Sequence, residues 1–227
     1  NNPCIKRWDE APELPGSIEF IEACRHHGVL TALTCTHATF ETVEAAHNAG
    51  MTHAAHFYNA MPVVYKEHEF KVPGTVESVY ALQDMTVETI ADGIHVPPVM
   101  LHVVYQIKGV EKMALITDSL AYAACNGEVT CEPRVILEDG VCKLADHSAL
   151  AGSIATMDTL IRTSILKAEI PMIDVFRMAS ETPAKIMGVF DRKGSIEEGK
   201  DADIIMFDKD INLTYVMQMG HEKTNCL

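Results

Sequence analysis

Positive charge is scarce in this 227-residue sequence: 18 Lys and Arg stand against 32 Asp and Glu, a formal net charge of −14. Nucleic acid or an anionic membrane surface would be repelled by such a chain unless its basic residues clustered, and no basic patch is visible. Long apolar runs are missing as well. None approaches the roughly 20 residues a membrane span needs, and the opening NNPCIKRWDEAP has no apolar core of the secretory type. No CxxC pair occurs. The seven cysteines, Cys4, Cys24, Cys35, Cys125, Cys131, Cys142 and Cys226, are odd in number and scattered. Reduced thiols are expected, rather than a disulfide framework or a thiolate zinc site. Internal repeats and low-complexity tracts are also absent. What remains is ordinary globular composition, 48% hydrophobic and 22% charged, expected in the cytoplasm.

Strand-like and helix-like segments alternate along the first two thirds. IKRW (5–8) precedes a helical GSIEFIEACRHHG (16–28), VLTALTC (29–35) precedes FETVEAAHNAG (40–50), and MTHAAHF (51–57) follows. After a polar loop come a helical VESVYALQD (76–84), a strand-like VETIAD (87–92), a helical PVMLHVVYQIKG (98–109) and a strand-like KMALITD (112–118). Strands separated by helices imply parallel pairing, because each crossover returns the chain to the same end of the sheet. The fold class is therefore α/β, either an open sheet or a (β/α) barrel. Residues 127–150 carry β-rich pieces around an Asp139-Gly140 turn. Residues 154–168 and 172–188 read as two helices, and 194–220 as short strands.

Polar residues recur at the carboxyl ends of these strands. His53 and His56 are three apart, so on a strand they face opposite sides and cannot serve one metal ion. His56 closes its strand, whereas His53 is mid-strand and is expected to pack against a helix. His37 follows VLTALTC, Asp92 and His95 follow VETIA, and Asp118 closes KMALITD. In a parallel barrel these ends share one face, where active sites are built. Imidazole and carboxylate together suit a hydrolytic divalent cation, with His37 and His56 as ligands and Asp118 as the group that moves the proton.

The same residues carry a resemblance. AHFYNAMP (55–62), IADGIHV (90–96) and LITDSLA (115–121) resemble, in order, three motifs of the N-acetylglucosamine-6-phosphate deacetylases of the amidohydrolase superfamily. APEL (11–14), ALAGSIATMD (149–158), ETPAKIMG (181–188) and KGSIEEGKDADIIMFD (193–208) extend the likeness nearly end to end. It implies a metal-dependent TIM barrel, of which this chain supplies strands four to eight over residues 1–190, with part of a small β-sandwich over 191–227. The implied reaction removes acetate from N-acetylglucosamine 6-phosphate. By motif position His37 and His56 hold the divalent metal (zinc, iron, manganese or cobalt), and Asp118 is general base and acid. Asn59, Ala60 and Lys71 fall at the phosphate end, His95 on the sugar, and Leu150, Ala151 and Gly152 on the substrate loop. A homodimer is implied by the cation at Lys71. The family's GHSxAT reads as a shortened THAT (36–39), AYAAC (121–125) replaces an Ala-Gly pair, and the family's upstream HxEGP carboxylate lies outside the sequence. The alternatives are a non-catalytic remnant that acts through self-association, and a related amidohydrolase on another N-acetylated sugar phosphate.

Overall fold

A computed structural model of the chain describes residues 4–123 and 134–223. Two compact units emerge, one of residues 1–89 and 103–114 and one of 90–102 and 115–227.

The first unit is built on a parallel sheet. Strand β1 (Arg7–Glu10) pairs in parallel with β2 (Leu30–Leu33), across helix α1 (Ser17–His26). Helix α2 (Phe40–Ala49) leads to β3 (His53–Ala54), again parallel to β2. Thr39 starts α2 by accepting the Thr42 N–H on its hydroxyl, and Gly50 ends it at φ +128. Those are the start and stop signals that open helix termini require. A hairpin, β4 (Tyr65–Glu67) and β5 (Phe70–Val72), precedes helix α3 (Thr75–Ala81) and strand β6 (Thr86–Ile90), which pairs in parallel with β3. Helix α4 (Pro98–Lys108) and β7 (Met113–Ile116) complete the sheet in the order β1-β2-β3-β6-β7. Ile21, Leu33, Val43, Phe57 and Val87 are fully buried here, each worth about 1.5–3 kcal/mol of apolar transfer. Lys108 is buried as well, its Nζ donating to the carbonyls of Val79, Leu82 and Met85 at 2.7–3.0 Å, so it closes the end of α3.

One face of this sheet carries a charged network instead of apolar side chains. Arg7 donates two hydrogen bonds of 2.7 Å to Glu88, and Glu88 meets His53 Nε2 at 3.1 Å. His53 Nδ1 lies 2.7 Å from Thr86 Oγ1. Burial by itself would raise the Glu88 carboxyl, but His53 and Arg7 outweigh it and hold it down at about 2. His53 thus differs from the sequence expectation of packing on a helix: its position opposite Thr86 brings it to Glu88 two residues further along β6.

The second unit contains a hairpin of β8 (Val135–Glu138) and β9 (Val141–Leu144), turned at Asp139-Gly140 as the sequence predicts. The expected β-rich residues 127–133 lie outside the described residues, as do Cys125, Cys131 and Cys226. Helices α5 (Met157–Leu166), α6 (Met172–Ala179) and α7 (Glu181–Ile186) follow, so the single helix expected over 172–188 is two. Ser180, at φ −137 and ψ −67, makes the break, and Pro183 then sits in the first turn of α7, where its missing N–H costs nothing. Strands β10 (Ile204–Phe207), β11 (Leu213–Gln218) and β12 (His221–Glu222) form an antiparallel sheet. Phe176 of α6 stacks on Phe207 of β10 at 4.8 Å between ring centroids. Among the described residues no helix is long and apolar enough to cross a membrane.

Candidate active site

The candidate residues divide between the units. His37, His56, Asn59, Ala60 and Lys71 belong to the first; His95, Asp118 and Leu150 to Gly152 belong to the second.

In the first unit, β3 stops after two paired residues and the chain enters a tight turn. His56, Tyr58 and Ala60 all take positive φ, and Asn59 fixes the turn by donating its backbone N–H and its side-chain amide to the His56 carbonyl, at 2.9 and 3.1 Å. His56 Nδ1 lies 3.1 Å from the Asn59 carbonyl oxygen, which can only accept. The ring proton is therefore on Nδ1, and the Nε2 lone pair points outward. It faces Thr34 Oγ1 at 2.8 Å and Cys35 Sγ at 3.6 Å. The neighbouring loop after β2 is tied down by Thr36, whose N–H reaches the Ala60 carbonyl at 3.1 Å and whose hydroxyl donates to Glu13. His37 is exposed, and its backbone N–H donates to Glu13 at 3.0 Å. Burial would raise Glu13, but Thr36 and the His37 N–H hold it below the ordinary carboxylate range. Glu13 lies in the APEL segment, and its bonds to Thr36 and His37 are visible only in the folded chain.

Lys71 lies on the exposed hairpin, directly across from Lys66 in the strand register. Two ammonium groups opposite each other on one hairpin face repel, unless an anion lies between them.

In the second unit His95 is almost fully buried. Its Nδ1 lies 2.7 Å from Asp92 Oδ2, while Asp92 Oδ1 accepts the backbone N–H groups of Ile94 and His95 at 2.9 Å each. Burial would raise the Asp92 carboxyl, but His95 and the two amides outweigh it and lower it. With Nδ1–H directed at the carboxylate, the other ring nitrogen, Nε2, is buried and has no hydrogen-bond partner among the described residues. His95 lines a cavity of about 230 Å³ together with Asp92, Ser153, Ala155, Thr156 and Thr159.

Asp118 has φ 46 and an exposed side chain at the end of β7. Its carbonyl accepts the Ser153 N–H at 2.9 Å, and Leu120 N–H returns to the Ser153 carbonyl at 2.8 Å. Thr117 and Ala155 accept from the hydroxyls of Ser153 and Ser119. The loop of Leu150, Ala151 and Gly152 is thereby pinned beside the Asp118 backbone. Gly152, at φ +64, is the residue that permits it: a Cβ there would meet Leu120 at 3.0 Å and the Asp118 carbonyl at 3.2 Å. The AYAAC segment, from residue 124 on, lies outside the described residues.

A parallel sheet with polar residues at its strand ends, matched by the Amidohydrolase family over residues 16–224, places this chain in that family. Its relatives include the N-acetylglucosamine-6-phosphate deacetylase of Bacillus subtilis, 32% identical over 219 residues, which are 96% of this chain and 54% of the relative. Among solved structures, the N-acetylglucosamine-6-phosphate deacetylase of Pasteurella multocida superposes at a TM-score of 0.87 with 28% identity, over 97% of this chain and 57% of that one. A mutant of the Mycobacterium smegmatis enzyme in complex with N-acetyl-D-glucosamine-6-phosphate superposes at 0.83 with 30% identity, over 96% and 57%. The chain spans just over half the length of the relatives it matches. The fold is thus of the amidohydrolase TIM-barrel type.

The family is generally metal-dependent. Among the described residues no three His, Cys, Asp or Glu side chains come together to hold an ion. Two imidazoles fall short of the three protein ligands of a catalytic zinc site. The expected donor set therefore does not fit a complete metal centre in these residues.

Proposed function

We propose that this chain serves the deacetylation of N-acetylglucosamine 6-phosphate: water adds to the acetamide carbonyl, the C–N bond breaks, and acetate and the free amine leave. The observation that carries this reading is the buried Nε2 of His95, without a hydrogen-bond partner among the described residues, on a ring that Asp92 orients and that lines a cavity. In that tautomer Nε2 accepts a hydrogen bond from a sugar hydroxyl; protonated, it donates one to an acyl oxygen. The likeness to deacetylases along nearly the whole chain supports the choice of substrate class.

In this reading Asp118 takes a proton from the attacking water and delivers it to the departing nitrogen. Leu150, Ala151 and Gly152 form a wall of the substrate site. Asn59 and Ala60 shape the turn on the phosphate side, and Lys71 with Lys66 offers two cations to the phosphate. His37 and His56 are the residues proposed on the metal side, for zinc, iron, manganese or cobalt. The apolar residues exposed on and beside the Lys71 hairpin, Val63, Val64, Tyr65 and Phe70, support self-association as a homodimer. The protein is proposed to act in the cytoplasm on this small sugar phosphate, without nucleic acid.

The test is release of acetate from N-acetylglucosamine 6-phosphate by the purified protein. Turnover that Asp118→Asn abolishes and His95→Gln reduces is the expected result. Absence of turnover under any divalent metal, from a protein that is folded by circular dichroism, would overturn the reading.

A further inference from the structure

Strand β1 is the edge of the parallel sheet: one side pairs with β2, and among the described residues no strand pairs with the other. The carbonyls of Lys6 and Glu10 accept from the N–H groups of Leu30 and Thr34 at 3.0 and 3.1 Å, so the even-numbered residues turn their main-chain groups toward β2. By alternation, those of Arg7 and Asp9 point to the open side. Such an edge is adhesive unless charges or prolines blunt it. Here the charges have an order. Residues 6–10 read KRWDE, two cations and two anions placed symmetrically about the only tryptophan in the sequence. We propose that β1 is a self-recognition edge, which pairs antiparallel with β1 of a second copy of this chain, centred on Trp8.

Two independent constraints select that register. The first is the main chain. Only Arg7 and Asp9 offer N–H and C=O groups on the open side, so odd-numbered residues must face odd-numbered ones. The second is charge. A pairing centred on Arg7 sets Arg7 against Arg7, and one centred on Asp9 sets Asp9 against Asp9; like charges directly opposite are destabilising. Centred on Trp8, Arg7 faces Asp9 of the second copy and Lys6 faces its Glu10, and no like charges are opposed. Arg7 and Asp9 then exchange both main-chain bonds with their opposites. Trp8 meets its own counterpart as a non-hydrogen-bonded pair, where cross-strand side chains come closest.

The side chains fit the same arrangement. Arg7 holds Asp9 of its own strand, Nε to Oδ1 at 2.5 Å and Nη2 to Oδ2 at 2.8 Å. The same two residues of the second copy, running the other way, close a ring of alternating charges. Glu10 Oε1 is buried without a hydrogen-bond partner among the described residues, and Lys6 of the second copy brings an ammonium group to that end of the strand. On the side of α1, Trp8 lies edge-on to Phe20 at 5.5 Å between ring centroids, and both rings are exposed. Pairing brings two such aromatic pairs together. The contact is isologous, so it closes at two copies. It is separate from the Lys71 hairpin, and it does not rest on the proposed reaction.

The test is sedimentation equilibrium of the reduced 227-residue protein over a range of concentrations. The mass is expected to move from the 25.0 kDa of one chain to twice that value, and a tryptophan exciton couplet from Trp8 should appear in circular dichroism along with it. Asp9→Pro removes an N–H that β2 does not use, so the chain should fold and the pairing should be lost. Lys6→Glu and Glu10→Lys each oppose like charges within a pair of identical copies, so each alone should stay at the mass of one chain. Mixed in equal amounts, the two variants set opposite charges against each other at both ends and should pair again. An unaltered protein that stays at 25.0 kDa, its edge left to some other polypeptide, would overturn the proposal. So would association that Asp9→Pro leaves intact, which assigns it to the Lys71 hairpin. A folded mixture of the two charge variants that fails to pair overturns the register. Should Glu10→Lys not fold, Asp9→Pro and Lys6→Glu decide alone, because Lys6 is exposed and its substitution leaves the core untouched.

Discussion

Asp92 Oδ2 lies 2.7 Å from His95 Nδ1, with 6% and 4% of the two side chains exposed. Asp92 thereby decides which nitrogen of His95 carries the proton, and both residues line the cavity. Asp92→Asn replaces a charged acceptor with a neutral amide that can present either oxygen or NH₂ to Nδ1. Losing one charge-assisted hydrogen bond of ~1.5–3 kcal/mol corresponds to a fall in kcat/KM of about 10- to 100-fold. The imidazole ¹⁵N shifts of His95 should report a changed tautomer in the same variant. A merely structural role would lower stability and leave the tautomer and the pH profile of the remaining activity unchanged.

Acid should weaken the first unit through Glu88. Its folded carboxyl titrates at about 2 against an ordinary 4.5, so between those values the unfolded chain binds the extra proton. The stability Glu88 provides is fully present above pH 4.5 and is lost as pH falls toward about 2. Urea denaturation at a series of pH values should show that slope, and Glu88→Gln should remove it. Removing the buried carboxylate, which leaves Arg7 with Asp9 alone and His53 with Thr86 alone, should cost up to about 3–5 kcal/mol near neutral pH. A paired Arg7→Met, Glu88→Leu variant is expected to recover much of that loss, because both buried charges leave together and Asp9, whose side chain is partly exposed, can be solvated.

The sequence exposed the parallel order of strands and the ends that carry His56, Asp92, His95 and Asp118, because alternation and Gly stops are local signals. It did not expose the Arg7–Glu88–His53 network, whose partners are 81 and 35 residues apart and meet only through strand register. The hairpin β4–β5 escaped notice because its turn lacks the usual Asn-Gly; His68 takes the left-handed conformation at φ 53 instead.

Lys71 and Lys66 give a prediction in which function and stability move in opposite directions. Lys71→Met removes a cation from the proposed phosphate site, so KM for the phosphorylated sugar should rise about tenfold, the equivalent of ~1.4 kcal/mol. The unphosphorylated sugar should show almost no change. The same substitution relieves repulsion between directly opposed lysines and should stabilise the free protein by ~0.2–1 kcal/mol. Thermal melts and steady-state kinetics on the one variant check both. An equal loss with both sugars would remove Lys71 from phosphate recognition.

Gly152 tests whether the loop beside Asp118 must be where it is. Alanine there is strained by its positive φ, at ~1–2 kcal/mol. Its Cβ also meets the Asp118 carbonyl at 3.2 Å, an atom that cannot move without disturbing the hydrogen bond from Ser153. Two responses are open to the chain: Leu120 yields, or the Asp118 segment shifts. Leu120 alone yielding would leave activity intact at reduced stability, because its Cγ, at 3.0 Å, belongs to a flexible side chain. The carbonyl contact makes the second response the expected one, so Gly152→Ala should lower kcat as well as the melting temperature. Combining it with Leu120→Ala separates the two: relief of the side-chain clash should restore part of the stability, and kcat should stay low while the backbone contact persists.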